Sequence, residues 1–406
     1  MTGVTRRIGA LLFVLFCAGM YFQTCFWRQM PTSSPSDFQW YYLAARHVLH
    51  GQSPFLAAGY LYPPLLAFVL TPLAPLDYLT ARWIWFLCSH LCLLAAAWWM
   101  WRGMGSDRTA GCVVAAVWAF GGAAGESLAL GQPGPLLTLL LAMAATRTGW
   151  AQGSSIAAGF AVKLIPGILC LVPALLRDWR TLGATVMVAF LLVSVPWVVV
   201  AVLPGPPAPA SSDYLAGTPA LLSWSIPSAA LRAFDPPSPG GRLPNDWIAG
   251  NTLQSLHLTT RQRALSLGAA AATLLLGLAA LTAAVRGRLT AQQVPMAAAA
   301  CLALALAASP VCWTHYQVLQ YPGVAVLLCY AARQHRWWLL GAALVCAALL
   351  YPVPVAVLRA SYERANAWPN SPLLLYFWTS VSPVASLCLF GLMVRELSRH
   401  RHIAVS

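Results

Sequence analysis

The chain has 406 residues, of which 59% are hydrophobic and 8% charged, and its mean hydropathy is +0.68. Soluble globular domains carry roughly 25% charged residues, and here apolar runs near the ~20 residues that cross a bilayer recur from end to end, which excludes a large soluble enzyme. The net charge of +14 does not indicate nucleic acid, because the basic residues come in ones and twos between apolar runs and form no stripe on a soluble face.

The first apolar run, 8 to 27, follows Arg6 and Arg7. No small-x-small cleavage pattern follows it and Trp27-Arg28 closes it, so it reads as an uncleaved first span. Residues 28–82 come next as a first outer loop. It holds "SDFQWYYLAARHVLHGQSPF" and "YLYPPLLAFVLTPLAPL", whose prolines and short apolar stretches predict helices lying in the interface. Further apolar segments fall at 83–101, 111–130, 133–147, 154–176, 181–203, 263–285, 292–308, 316–332, 337–357 and 374–394, eleven with the first. Residues 204–262, rich in Pro, Gly, Ser and Asp, form a second outer loop, and 1–406 is a single integral membrane domain. Eleven cysteines show neither C-x-x-C pairing nor metal spacing and read as small core residues.

Charge sets the topology. With the N-terminus inside, the clusters Arg6/Arg7, Arg102/Arg108, Arg177/Arg180, Arg286/Arg288, Arg333/Arg336 and Arg395/Arg399/Arg401 all fall inside by the positive-inside rule. Three segments lie between Arg108 and Arg177, where two inside clusters require an even number of crossings, so one segment is irregular. The candidates are 133–147, which is short, and 154–176, which carries Lys163 and Pro166 at its middle. The second is favoured, as two half-length helices meeting at "KLIP", because non-helical backbone at membrane depth is tolerated where it lines a polar cavity. The expected fold is an all-α polytopic membrane protein of about 12 transmembrane or half-length helices.

Ten acidic residues make each one informative. Asp107, Asp178 and Glu396 stand beside inside arginines and need no further role. Asp37, Asp77, Glu126, Asp213, Asp235, Asp246 and Glu363 fall outside, so acid–base chemistry is expected at the outer face. Asp37 precedes the aromatic stretch 38–49, where it serves either as a helix N-cap or as a general base. Lys163, the one lysine of the chain, either snorkels to the interface or meets an anionic phosphate oxygen from a helix break. Glu126 and Gln132 of "GESLALGQPG" are loop polar groups or substrate contacts. His315 of "SPVCWTHYQ", with Trp313 and Tyr316, is an interface-belt residue or a site residue. Arg232 of "LSWSIPSAALRAF" binds an anion or pairs with Asp235. No D-x-D or E-x-D pair, Walker loop or dinucleotide-binding glycine pattern is present.

In order along the chain, "DFQWYYLAARHVLHGQSPF", "YLYPPLL", "GQPGPLL", "AGFAVKLIP" and "SPVCWTHY" resemble the glycosyltransferase family 87 membrane mannosyltransferases of the GT-C superfamily. That resemblance implies a GT-C-type bundle and inverting, metal-independent transfer of a hexose, mannose by default, from a polyprenyl-phosphate donor to a glycolipid or glycan acceptor. It places the active site on the extracytoplasmic side of the cell (inner) membrane, in contact with membrane lipid and with no nucleic acid or cofactor. Asp37 matches the catalytic base, and Lys163, His315, Arg232, Gln132, Glu126, Tyr62 and Tyr316 are the expected substrate contacts, with no metal ligand. The second outer loop departs from the family pattern, with "SWSIPSAALR" where an Asn-Gln-Ser stretch before an arginine is usual. The competing readings are a transporter or flippase of lipid-linked saccharides and an assembly partner with a degenerate site. The absence of an acidic residue clearly within a span core disfavours the transporter.

Overall fold

The computed structural model describes residues 3–207, 223–234, 259–285, 289–290, 293–365 and 372–403. Among these the chain is helical apart from turns, and the one extended pairing is an isolated bridge between Ser223 and Trp313. This is the helical solution that lipid demands, since each helix satisfies its own backbone. Helix α1 (Gly3–Tyr21) runs on through wider and tighter turns to Gln29. Helices α2 (Phe38–Leu49) and α3 (Leu65–Leu70) form the first loop, and α4 (Tyr78–Gly103) leaves it. Then come α5 (Arg108–Phe120), α6 (Ala123–Leu130), α7 (Gly134–Thr146), α8 (Gly149–Val162), α9 (Leu171–Leu176) and α10 (Trp179–Val202). The remainder is α11 (Ile226–Phe234), α12 (Thr260–Val285), α13 (Val294–Ala308), α14 (Tyr321–Arg333), α15 (Trp337–Leu350), α16 (Pro352–Ala365) and α17 (Pro372–Ile403).

Six helices of the described residues are long and apolar enough to cross a membrane: Val4–Gln29, Tyr78–Gly103, Trp179–Val202, Thr260–Val285, Trp337–Leu358 and Phe377–Arg399. A seventh results if α5 and α6, bent by 53°, form one span. Three shorter apolar helices, Gly134–Thr146, Ile165–Leu176 and Val294–Ala308, fall below that length. Most of the second outer loop, with Asp213, Asp235 and Asp246, lies outside the described residues, as do Arg286 and Arg288.

Segment 154–176 is broken where Lys163 stands. Helix α8 ends at Val162, Lys163 is extended, and a 3-10 turn from Ile165 to Cys170 leads into α9. Pro166 lacks the donor that would continue the helix. The chain doubles back: a Cβ on Gly159 would sit 2.9 Å from the Cβ of Pro166, whereas seven residues of continuous helix span roughly 10 Å. Glycine at 159 is what lets the two arms approach.

The charged clusters hold the bundle at one end. Asp107 caps α5 by accepting from Ala110 N at 2.8 Å and pairs with Arg333 at 2.7 Å, while Glu396 pairs with Arg336. The first loop gathers at the other end. Phe38, Tyr41, Tyr60 and Leu66 form a buried cluster with Trp85 of α4 and Val200 of α10, and Ser53 bonds the carbonyls of Pro204 and Pro206.

Gly159→Val should force the hairpin arms apart at a cost of about 1–3 kcal/mol, the usual range for overpacking. The thermal midpoint in detergent should fall. Gly183→Ala, on α10 with nothing within 4 Å of the added Cβ, should leave it unchanged or raise it slightly.

Candidate active site

Asp37 occupies the residue before α2, the N-cap position, yet its side chain makes no cap bond and its backbone is already helical. Its carboxylate instead receives the Gln132 Nε2 donor through Oδ2, leaving Oδ1 unused by the protein among the described residues. Burial pushes the Asp37 carboxyl above its ordinary range, opposed by the Gln132 hydrogen bond and by the charge of Lys163.

Gln132 is 5% exposed and both its oxygen and its nitrogen are engaged. Its Oε1 accepts from Tyr41 Oη at 2.9 Å and from Tyr62 Oη at 2.7 Å. Two hydroxyl donors on the oxygen leave the NH2 for Asp37, which suits an ionised carboxylate because that group only accepts. The sequence places Gln132 here through its neighbours. Gly131 ends α6 in the left-handed conformation (φ +69°), where a Cβ would come 2.6 Å from the Cβ of Phe38. Pro133 then opens α7.

Helix α4 fixes both arms of this bond. Arg82, 8% exposed, donates to the carbonyls of Thr32 and Ser34, both at 2.7 Å, and of Ala129 at 3.0 Å. One turn on, Trp85 Nε1 donates to the carbonyl of Gly131 at 2.8 Å, and its ring stacks on Phe38 at 6.1 Å. The segment before Asp37 and the turn before Gln132 thus hang on one face of one helix.

Lys163 stands at the hairpin apex. Its Nζ donates to Tyr62 Oη at 3.3 Å and lies 3.1 Å from the centroid of the Tyr316 ring and 5.1 Å from that of Tyr62. No carboxylate pairs with it among the described residues. A hydrogen-bonded path therefore runs Asp37–Gln132–Tyr62–Lys163. His315 is 6% exposed, packs edge-on against Tyr316 at 4.7 Å, and lies close enough to Lys163 to feel its charge. Its Nε2 is buried without a hydrogen-bond partner among the described residues. Thr314 donates to Glu126 Oε1 at 2.6 Å, which brings α6 to the same loop, near enough for the Asp37 and Glu126 charges to repel.

Asp37, Gln132, Tyr62, Lys163, Tyr316, His315 and Glu126 are thus brought together. Arg232 is placed differently. It is 1% exposed, and its guanidinium donates to the carbonyls of Ser223 at 3.0 Å and Thr379 at 3.4 Å. Ser223 Oγ in turn accepts from Cys312 N at 3.1 Å, so Arg232 braces the loop that carries His315 from behind. Other acids serve as helix caps: Asp77 accepts from Thr80 N at 3.0 Å, and Asp178 from Thr181 N at 3.1 Å. Glu363 lies on α16. Sequence reasoning missed Tyr41, Arg82 and Trp85. The available signal was Arg82 itself, an arginine at the opposite end of a span from the basic clusters.

Residues 60–228 match the family model described as Glycosyltransferase family 87. Three of the five motifs that carry the resemblance, and Tyr62, Glu126, Gln132 and Lys163, fall inside the match; Asp37 and His315 fall outside it. No curated protein and no solved structure matches the chain. The family match, with six helices able to cross a membrane, points to a membrane glycosyltransferase.

Infrared titration of the Asp37 carboxyl, assigned by difference against Asp37→Asn, should place it above the usual carboxylate range. Gln132→Leu, which removes a donor to the carboxylate, should move it higher, and Gln132→Glu, which sets a second carboxylate there, should also raise it. A titration unmoved by either variant would mean that the amide does not control this group.

Proposed function

We propose that the chain transfers a hexose, mannose by the family default, from a polyprenyl-phosphate donor to an acceptor hydroxyl on the extracytoplasmic face, with Asp37 as base and inversion at the anomeric carbon. The observation that carries this reading is the pairing, among the described residues, of a carboxylate with one unused oxygen and an ammonium group with no carboxylate partner, linked through Gln132 and Tyr62. Asp37 Oδ1 accepts the proton of the acceptor hydroxyl as its oxygen attacks, and the bond from the anomeric carbon to the phosphate oxygen breaks on the far face. The leaving phosphate gains charge as that bond breaks, and Lys163 meets it, so the cation stabilises the transition state more than the ground state. A half-buried cation without a carboxylate partner among the described residues is costly, and a phosphate would restore the balance.

The remaining residues fit supporting tasks. His315 Nε2, buried and without a partner, is suited to a phosphate or sugar oxygen. Glu126, anchored by Thr314, is suited to the hydroxyls of the sugar. Arg232 braces the His315 loop and makes no phosphate contact in this reading. The glycolipid or glycan acceptor approaches from the first loop, and the donor chain lies in the surrounding lipid.

Purified protein given labelled polyprenyl-phosphate hexoses and a panel of acceptors should release polyprenyl phosphate with one donor. Asp37→Asn should lower turnover by roughly 10²–10⁴, the contribution of a positioned base, and Lys163→Met by about 10²–10³. Full turnover in Asp37→Asn removes the base. Movement of a lipid-linked saccharide across proteoliposomes without transfer would identify a transporter instead. The rate should fall with acid as Asp37 protonates, at a pH above the usual carboxylate range because burial raises this group.

Stability should follow the opposite sign. A carboxyl raised in the folded state costs the fold stability as pH rises through its folded value. Asp37→Asn should therefore melt at or above the wild type at neutral pH, with the difference vanishing below the carboxylate range. A lower melting point for the variant at neutral pH would contradict this.

A further inference from the structure

The end of the bundle away from Asp37 carries a cluster that sugar transfer does not use. Two candidate spans meet there, Trp337–Leu358 at its first residue and Phe377–Arg399 at its last. Trp337 and Trp338 are 70% and 45% exposed. Three guanidinium groups surround the Trp338 ring: Arg395 at 4.5 Å from its centroid, Arg336 at 5.6 Å and Arg399 at 5.9 Å. Glu396, 1% exposed, acts as a strut between them. It pairs with Arg336, binds Arg399 at 3.4 Å, and accepts from the Tyr330 hydroxyl at 3.3 Å.

Three cations against one carboxylate leave a local excess of two positive charges. Arg395 forms no ion pair among the described residues, and its guanidinium lies on the indole face. Guanidinium groups held near a ring, Arg336 and Arg399 also tied to a buried carboxylate, have lost part of their rotamer freedom before any ligand arrives. They present planar donor forks that match phosphate oxygens.

Position selects the source of that phosphate. Along α17, Thr379, which receives Arg232 behind the His315 loop, and Arg399 are twenty residues apart, or ~30 Å at ~1.5 Å per residue, about the thickness of a bilayer's hydrocarbon core. Exposed indoles at such a level belong to the boundary between headgroups and acyl chains. We propose that Arg336, Arg395 and Arg399, arranged by Glu396 around Trp338, bind the phosphodiester headgroup of an anionic membrane phospholipid, whatever the chain transfers at its other end. Arg395 and Arg399 meet the phosphate, Arg336 closes the far side, and the Trp338 edge lies against the first carbons of the acyl chains. Basic residues beside a span attract anionic lipid electrostatically, and this cluster adds a fixed geometry to that attraction.

The test uses the full chain in mild detergent with equal amounts of phosphatidylglycerol and phosphatidylcholine, and counts lipids retained by native mass spectrometry. The wild type should keep phosphatidylglycerol over phosphatidylcholine by roughly tenfold or more, and the double variant Arg395→Gln/Arg399→Gln should bring the ratio near one. Arg395→Gln alone breaks no ion pair, so it should lower the ratio severalfold even if the double variant fails to fold. Arg46→Gln, on the first loop, should leave the ratio unchanged. Equal retention of the two lipids by the wild type, or an unchanged ratio in Arg395→Gln, would overturn the assignment. Release of the lipid by millimolar inorganic phosphate would mean a site for a free anion, and would overturn it as well.

Discussion

A lysine side chain held among tyrosine rings, with no carboxylate paired to it among the described residues, is the constraint around which this structure is arranged. Drawing Lys163 partly out of solvent is unfavourable, and the chain accommodates it with a helix break, two aromatic faces and a hydroxyl. The break depends on Pro166, the tight return depends on Gly159, and the aromatic faces come from two distant segments, the first loop and the turn before α14. The first loop in turn rests on α4 and α10 through its own buried cluster. The place of one cation thus recruits much of the half of the bundle that carries Asp37.

The same economy governs the carboxylates. In a chain with ten of them, Asp77, Asp107 and Asp178 serve as helix caps, and Glu396 organises arginines. Asp37 stands in a position that invites capping and does not cap: its backbone is already helical and its carboxylate is engaged by the Gln132 amide. A residue with an available local role that engages a distant partner instead is informative, since the distant contact is what the fold preserves.

Much of this was legible in the sequence. Composition identified a helical membrane protein, the one lysine and Pro166 located the break, and the scarcity of acids singled out Asp37. The parity of basic clusters pointed to about 12 transmembrane or half-length helices, and among the described residues length and composition identify six able to cross, because segments such as Gly134–Thr146 are too short to qualify. Trp85 and Tyr41 were not legible, because each acts by reaching a carbonyl or an amide far away in the chain, and no spacing encodes that; Arg82 left only the signal of an arginine at the opposite end of a span from the basic clusters. Arg232 illustrates the converse. The sequence offered it an anion or Asp235, and the fold adds two backbone carbonyls that no spacing predicts.

The amide of Gln132 has one further consequence. Asp37 and Lys163 carry opposite charges in a poorly solvated setting, where direct contact would join them in a mutual pair and quench both. Gln132 and Tyr62 stand between them as an electrical spacer: neutral, polar, and bonded on each side. The carboxylate and the side-chain nitrogen are thereby held apart, joined only through neutral groups and not satisfying each other directly.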